Sequence, residues 1–260
     1  MPAFGIVKTG MRRFAGLGLL LFAGSTAVLS QDQQRVTSPD GQIEFRLFVD
    51  QPEPAALFRL AYQVMFHGKT LINTSFLGLL VHNQEPALGE NLGLMAAKNS
   101  SGKQYNSLAA DYMQNGSLGR RINVEVRVFN DGVAFRYVVP KSTPLLPMLV
   151  ENELTEFAFA EHVDAMNRIA PGAMIALPFV AEQRGVAWIA IDELHSGSYP
   201  RMYLARQEGD ILISRLPPGR DESAVAWEGD TPLTGPWRVL AIGATRESVT
   251  QSKLISNLNP

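Results

Sequence analysis

The residues best suited to chemistry in this chain are carboxylates. Glu151 and Glu153 stand two apart, so on a strand they would share a face. Such a face could hold a cation or a sugar, although a solvated strand edge is the commoner use of the pattern. Asp192 and Glu193 follow the apolar run 186–191 and on a strand point to opposite sides, so at most one of them joins a buried site. Carboxylate oxygens suit a hard cation such as calcium, which makes Glu193 a candidate metal ligand. The four histidines, His67, His82, His162 and His195, show no metal-binding spacing. His67 falls in a turn signal, where solvent exposure accounts for it. His195 and Glu193 lie two apart and would share a face, the nearest approach to an acid–base pair. Trp227 and Trp237 are candidates for stacking on a ligand, whereas Trp188 sits inside an apolar strand and reads as core.

Other chemistries are excluded or unsupported. There is no cysteine, so disulfides, thiolate catalysis and cysteine-type metal sites are excluded. No nucleophile elbow, phosphate-binding loop or dinucleotide glycine fingerprint occurs. Three Asn-x-Ser/Thr triplets, at Asn73, Asn99 and Asn115, are the kind that arises by chance.

The elements that must position these residues are strands. Ile122, Val124, Val126 and Val128 alternate with Arg121, Asn123, Glu125 and Arg127, giving one dry and one wet face. Asn130-Asp131-Gly132 then leads into Val133, Phe135, Tyr137 and Val139, and Asp-Gly supplies the positive φ angles of a tight hairpin. A second hairpin is expected from 58–66 through His67-Gly68-Lys69 into 70–81. Further strands are expected at 43–50, 156–160, 174–180, 186–191, 199–206, 211–216, 224–227 and 237–243. Segment 89–119, rich in Asn, Ser and Gly, reads as a long loop with at most one short strand. Segment 247–258 reads as one short amphipathic helix with Val249, Leu254 and Leu258 on its apolar side. Many short strands punctuated by Gly, Pro and Asp give an all-β class, a sandwich or barrel.

Composition bounds the rest. The 260 residues are 46% hydrophobic and 18% charged, which is globular. Lys8, Arg12 and Arg13 precede a nearly continuous apolar or small stretch, 14–29, and then polar Gln31-Asp32-Gln33-Gln34. This is the pattern of a secretory signal peptide, with cleavage after Ser30 or Ala27; an uncleaved anchor is the alternative. Domain 31–260 then carries a net charge of −5, because the leader removes three basic residues and no acidic ones from a chain of net charge −2. An acidic protein with no basic cluster is a poor nucleic-acid partner, and no later stretch is long and apolar enough to cross a membrane. A secreted or periplasmic location is expected.

Several segments, in order, resemble one family, the N-terminal domain of glycoside hydrolase family 97. They are Ser38-Pro39-Asp40-Gly41, the hairpin Asn130 to Tyr137, and Glu153-Leu154-Thr155-Glu156-Phe157. Asp192-Glu193-Leu194-His195 with Tyr199-Pro200-Arg201-Met202 follows, then Thr231-Pro232 with Gly235-Pro236-Trp237-Arg238-Val239-Leu240, and Asn257-Leu258-Asn259-Pro260. The resemblance implies a galactose-mutarotase-like β-super-sandwich that packs on a (β/α)8 barrel. It implies α-glucosidase or α-galactosidase activity in the whole enzyme, on α-linked glucosides or galactosides. It also implies a calcium ion at the substrate site, to which the N-terminal domain gives one glutamate, by motif Glu193. Glu-Leu-His stands where that family usually has Glu-Ala. Both catalytic carboxylates belong to the barrel, so no catalytic residue is assigned here. Glycoside hydrolysis needs two carboxylates about 5 to 9.5 Å apart, and spacing identifies no such pair in this chain.

The expectation is a non-catalytic, carbohydrate-binding accessory domain of an α-glycosidase, sharing a calcium and substrate site with a barrel. The alternative is a stand-alone periplasmic carbohydrate-binding module. A mutarotase-like enzyme would need the His195–Glu193 pair to act together. A domain that packs on a barrel is also expected to expose a large apolar patch.

Overall fold

A computed structural model of the chain describes Met1 and residues 33–116, 119–195, 197–219 and 224–258. The leader expected at 1–30 therefore lies almost wholly outside the described residues.

Among the described residues twenty strands, all paired antiparallel, run in chain order. They are β1 (Gln34–Thr37), β2 (Ile43–Asp50), β3 (Arg59–Phe66), β4 (Lys69–Phe76), β5 (Leu79–Val81), β6 (Gln84–Leu88), β7 (Leu92–Ser100) and β8 (Tyr105–Gln114). There follow β9 (Arg121–Phe129), β10 (Gly132–Val139), β11 (Met148–Glu153), β12 (Glu156–Ala158), β13 (Met174–Ile175) and β14 (Phe179–Gln183). The last are β15 (Ala187–Leu194), β16 (Tyr203–Arg206), β17 (Ile211–Arg215), β18 (Trp227–Gly229), β19 (Leu233–Thr234) and β20 (Trp237–Gly243). Two five-residue helices, α1 (Arg246–Thr250) and α2 (Leu254–Leu258), close the chain.

The principal sheet has the order β14-β15-β20-β10-β9-β8-β7, with β19 also paired to β10. Three four-stranded sheets, β1-β2-β3-β4, β18-β11-β5-β6 and β12-β17-β16-β13, complete the fold. One apolar core is shared by all four: Phe45, Tyr62, Val126, Phe135, Val150, Phe157, Ile191 and Leu240 are among its buried members. Phe45, Tyr62 and Phe135 bring their ring centroids within 5.2–5.9 Å of one another, which ties the β1–β4 sheet to the principal sheet. The all-β sandwich expected from alternation is what the chain forms.

Strand alternation puts the inward residues of β9, Ile122 to Val128, on this core as expected. The Asp131-Gly132 turn joins β9 to β10. Gly132 has φ +151°, and a Cβ there would stand 2.2 Å from the carbonyl oxygen of Leu240. Only glycine lets β10 come this close to β20. The second hairpin also forms, turning at His67 (φ +49°) and Gly68 (φ +76°).

Two expectations are corrected. Segment 89–119 is not a long loop: it holds β7 and β8, which pair along most of their lengths. The reason it escaped is that β7 is an edge strand whose residues beyond Leu94 are exposed, so it carries no alternation. In β8 the inward positions include Ala110 and the polar Gln114, whose amide donates to the Ala87 and Glu90 carbonyls. The expected single helix over 247–258 is two. Thr245 and Ser248 form a reciprocal cap that starts α1. Ser252 then turns its hydroxyl to the Asp131 carboxylate, which interrupts the helix before α2. The three apolar residues foreseen, Val249, Leu254 and Leu258, are buried.

Candidate functional site

The side chains of the sheet residues that precede the helices separate two environments. On β15, Ala187, Ile189, Ile191 and Glu193 face the shared core, whereas Ala190 and Asp192 face the opposite side, beneath α1 and α2. Asp192 and Glu193 thus point apart, as two successive strand residues must.

Glu193 is directly opposite Arg238 on β20. Its Oε2 accepts from the Arg238 Nη1–H at 2.5 Å and from the Met202 backbone N–H at 3.1 Å. Arg238 has no exposed surface, and its other two nitrogens go to Glu153: Nε donates to Oε2 at 2.9 Å, and Nη2 pairs with Oε1. Burial alone would push the guanidinium pKa down, but the carboxylates of Glu153 and Glu193 more than offset this and hold it charged. The Glu153 end extends further. Thr155 Oγ1 donates to Glu153 Oε2 at 3.3 Å and also meets the Tyr137 hydroxyl at 2.7 Å, while the Gly78 N–H donates to that same hydroxyl at 3.2 Å. Tyr137 and Tyr199 are fully buried, and burial, followed by the nearby Glu153 charge, pushes both phenols far above the ordinary tyrosine pKa. The triad Glu153–Arg238–Glu193 joins β11 to the principal sheet across the core.

Glu151 and Glu153 do not share a face. The pairing of β11 with β5 shifts register between Val150 and Asn152, and such a bulge re-aims side chains. Glu153 turns into the core, whereas Glu151 lies half-buried with Oε1 2.6 Å from Nδ1 of His82. The latter pair, 69 residues apart in the chain, carries no sequence signal. His195 makes no hydrogen bond to Glu193, and its Nδ1 is buried without a partner among the described residues. His67 is exposed in its turn, and His162 bonds Asp210 at the surface.

The three tryptophans differ in their surroundings. Trp237 is buried, with the guanidinium groups of Arg127 and Arg136 stacked on it at 4.8 and 4.4 Å. Trp227 is partly buried, and its Nε1–H donates to Ser198 Oγ at 3.4 Å. Trp188 is only partly buried and packs on the Ala190–Ala241–Val249 cluster rather than in the main core.

Calcium takes six to eight oxygen ligands. Among the described residues no three His, Asp or Glu side chains converge so as to hold a metal ion. Arg238 lies between Glu193, the expected ligand, and Glu153. The donor set of the described residues therefore does not make a complete calcium site by itself, and Oε2 of Glu193 is already bonded to Arg238 and to the Met202 N–H. Among the described residues the large exposed hydrophobics within the sandwich are Met95 on β7, Met174 on β13, Tyr203 on β16, and Leu57, Phe58 and Leu146 in connecting segments.

Comparison with known proteins places the fold. Two curated relatives are a retaining alpha-galactosidase of Bacteroides thetaiotaomicron, 20% identical over 91% of this chain, and a probable retaining alpha-galactosidase of Streptomyces bingchenggensis, 26% identical over 95%. The chain spans about two-fifths of their lengths, 42% and 41%. A glycoside hydrolase family 97 enzyme from Pseudoalteromonas sp. strain K8, solved in complex with acarbose, superposes with a TM-score of 0.74 at 23% identity. The superposition covers 87% of this chain and 38% of that one. A beta-arabinopyranosidase structure superposes with a TM-score of 0.63 at 21% identity, over 82% of this chain and 40% of that one. The family model for the glycosyl-hydrolase 97 N-terminal domain matches residues 36–169 and 164–260. With that match running through nearly all of the described sandwich, the chain belongs to the glycosyl-hydrolase 97 N-terminal family.

Proposed function

We propose that this chain acts as the non-catalytic accessory domain of a secreted or periplasmic α-glycosidase, packing on a (β/α)8 barrel and helping it to hold an α-linked glucoside or galactoside. The observation that carries this reading is the N-terminal family match along the whole sandwich, in a chain that spans about two-fifths of its α-galactosidase relatives. Structural neighbours solved with panose and with acarbose support carbohydrate as the ligand class. The chemistry of the described carboxylates agrees with an accessory role. Glu153 and Glu193, the most buried of them, are committed to Arg238 and are not free to act as acid and nucleophile.

Glu193 is the residue proposed to face a shared calcium ion. Two carboxylates flank one guanidinium, so the triad keeps a net negative charge, which favours a cation nearby. The barrel would supply the remaining oxygens, and the ion would supply charge to a bound sugar hydroxyl.

Calorimetric titration of the purified chain with maltose and with calcium chloride tests the division of labour. The accessory reading expects little or no heat with either when the chain is alone. Micromolar sugar affinity without any partner would favour the stand-alone binding module instead.

A further inference from the structure

On the outer face of the principal sheet, α1 and α2 do not seal the strands they cover. Between them and β14, β15 and β20 lies a groove of about 140 Å³. Its floor is Ala190, Ala241 and Val239, its walls include Val249 and Leu254, and Pro178 stands beside its one ionisable lining residue, Asp192. The register explains the space. Ala190 pairs with Ala241 and Asp192 with Val239, so two small residues lie side by side where larger ones would close the gap. Among the described residues the carboxylate of Asp192 takes one hydrogen bond, from the adjacent Glu193 N–H at 2.8 Å. No cation is ion-paired with it among the described residues; Arg201 is the basic residue whose field reaches it. A partly desolvated carboxylate at the end of an apolar groove is an incomplete pair.

We infer that this groove is a socket for one lysine-type side chain of the barrel domain, its ammonium paired with Asp192 and its stem lying over Ala190 and Ala241. The size decides against a sugar: a cavity of about 150 Å³ admits a benzene-sized group, so this one takes a single side chain and not an oligosaccharide. Charge complementarity selects a cation, and the apolar floor suits a methylene stem better than a compact hydrated ion. A barrel is the candidate source because more than half of each relative's length lies outside the part that this chain spans. The source of the side chain rests on the accessory-domain reading, whereas the chemistry of the socket does not.

The test uses the full chain and n-butylammonium chloride as a lysine side-chain probe, with 1-butanol as the neutral stem of the same length. Amide NMR shifts are followed across 190–192, 239–241 and 249–255. The expected result is saturable shifts confined to these segments for n-butylammonium, at least about tenfold weaker binding in Asp192→Asn, and no comparable binding of 1-butanol. Equal binding by the Asp192→Asn protein, equal binding of 1-butanol, or shifts scattered over the acidic surface would overturn the socket. Hydrolysis of an α-glycoside by the chain alone would overturn the accessory-domain reading and leave the probe result standing, so the two failures are distinguishable.

Discussion

Glu193 and Arg238 face each other across neighbouring strands β15 and β20 and form an ion pair in which the arginine has no exposed surface. Glu153 closes the pair into a triad from a third strand, so a residue expected to face a ligand is also a tie within the core. Taking away the cation alone leaves two buried carboxylates facing each other, which is the costly way to break a buried pair. Arg238→Met is expected to lower stability by about 3–5 kcal/mol. The variant Glu153→Leu, Arg238→Met, Glu193→Met, which removes all three charges, should recover most of that loss. Urea denaturation of both proteins checks this, and a triple variant less stable than Arg238→Met would contradict it.

Glu193→Gln keeps an acceptor for the Met202 N–H and removes one of two negative charges. It should fold, with a stability loss of about 1–3 kcal/mol. In an enzyme that includes the barrel it should abolish the calcium dependence of activity, read by chelator titration. Unchanged calcium dependence would remove Glu193 from the metal site.

Tyr62, Tyr137 and Tyr199 are each held far above the ordinary tyrosine pKa, first by burial. A raised folded pKa favours the protonated fold. The stability it confers is intact below the unfolded value near 10 and is lost as pH rises beyond it. Each such group contributes a slope of about 1.4 kcal/mol per pH unit there, so the three together should make alkaline unfolding steep. Absorbance near 295 nm should show these three phenols ionising only with loss of near-ultraviolet circular dichroism. Ionisation of all six tyrosines near pH 10 in a folded chain would contradict it.

Gly132→Ala places a Cβ against the Leu240 carbonyl at a φ of +151°. A loss of about 2–4 kcal/mol is expected, measurable as a drop in the thermal midpoint. A neutral substitution would mean that β10 and β20 can separate without cost.

The strands that one dry face writes into sequence were legible: β2, β9, β10 and β20 appear where alternation or an apolar run put them. What escaped was set by tertiary context. The exposed edge strand β7 has no apolar period to read, and Gln114 is buried on β8 because the carbonyls of Ala87 on β6 and of Glu90 just beyond it accept from its amide. For the site, β15 alternation was enough to turn Asp192 and Glu193 apart. It could not show that Glu193 meets Arg238, because that depends on the pairing of β15 with β20. The bulge between Val150 and Asn152 likewise parted Glu151 from Glu153, and the His82–Glu151 pair joins the turn after β5 to β11, far apart in sequence.

The accessory role is tested most directly by a hydrolysis assay. The purified chain is incubated with 4-nitrophenyl α-D-galactopyranoside and the α-D-glucopyranoside in calcium-containing buffer, and nitrophenol release is followed against a buffer blank. The account predicts release no faster than the blank for both substrates. Turnover that co-purifies with the folded chain and disappears when it is unfolded would contradict the account.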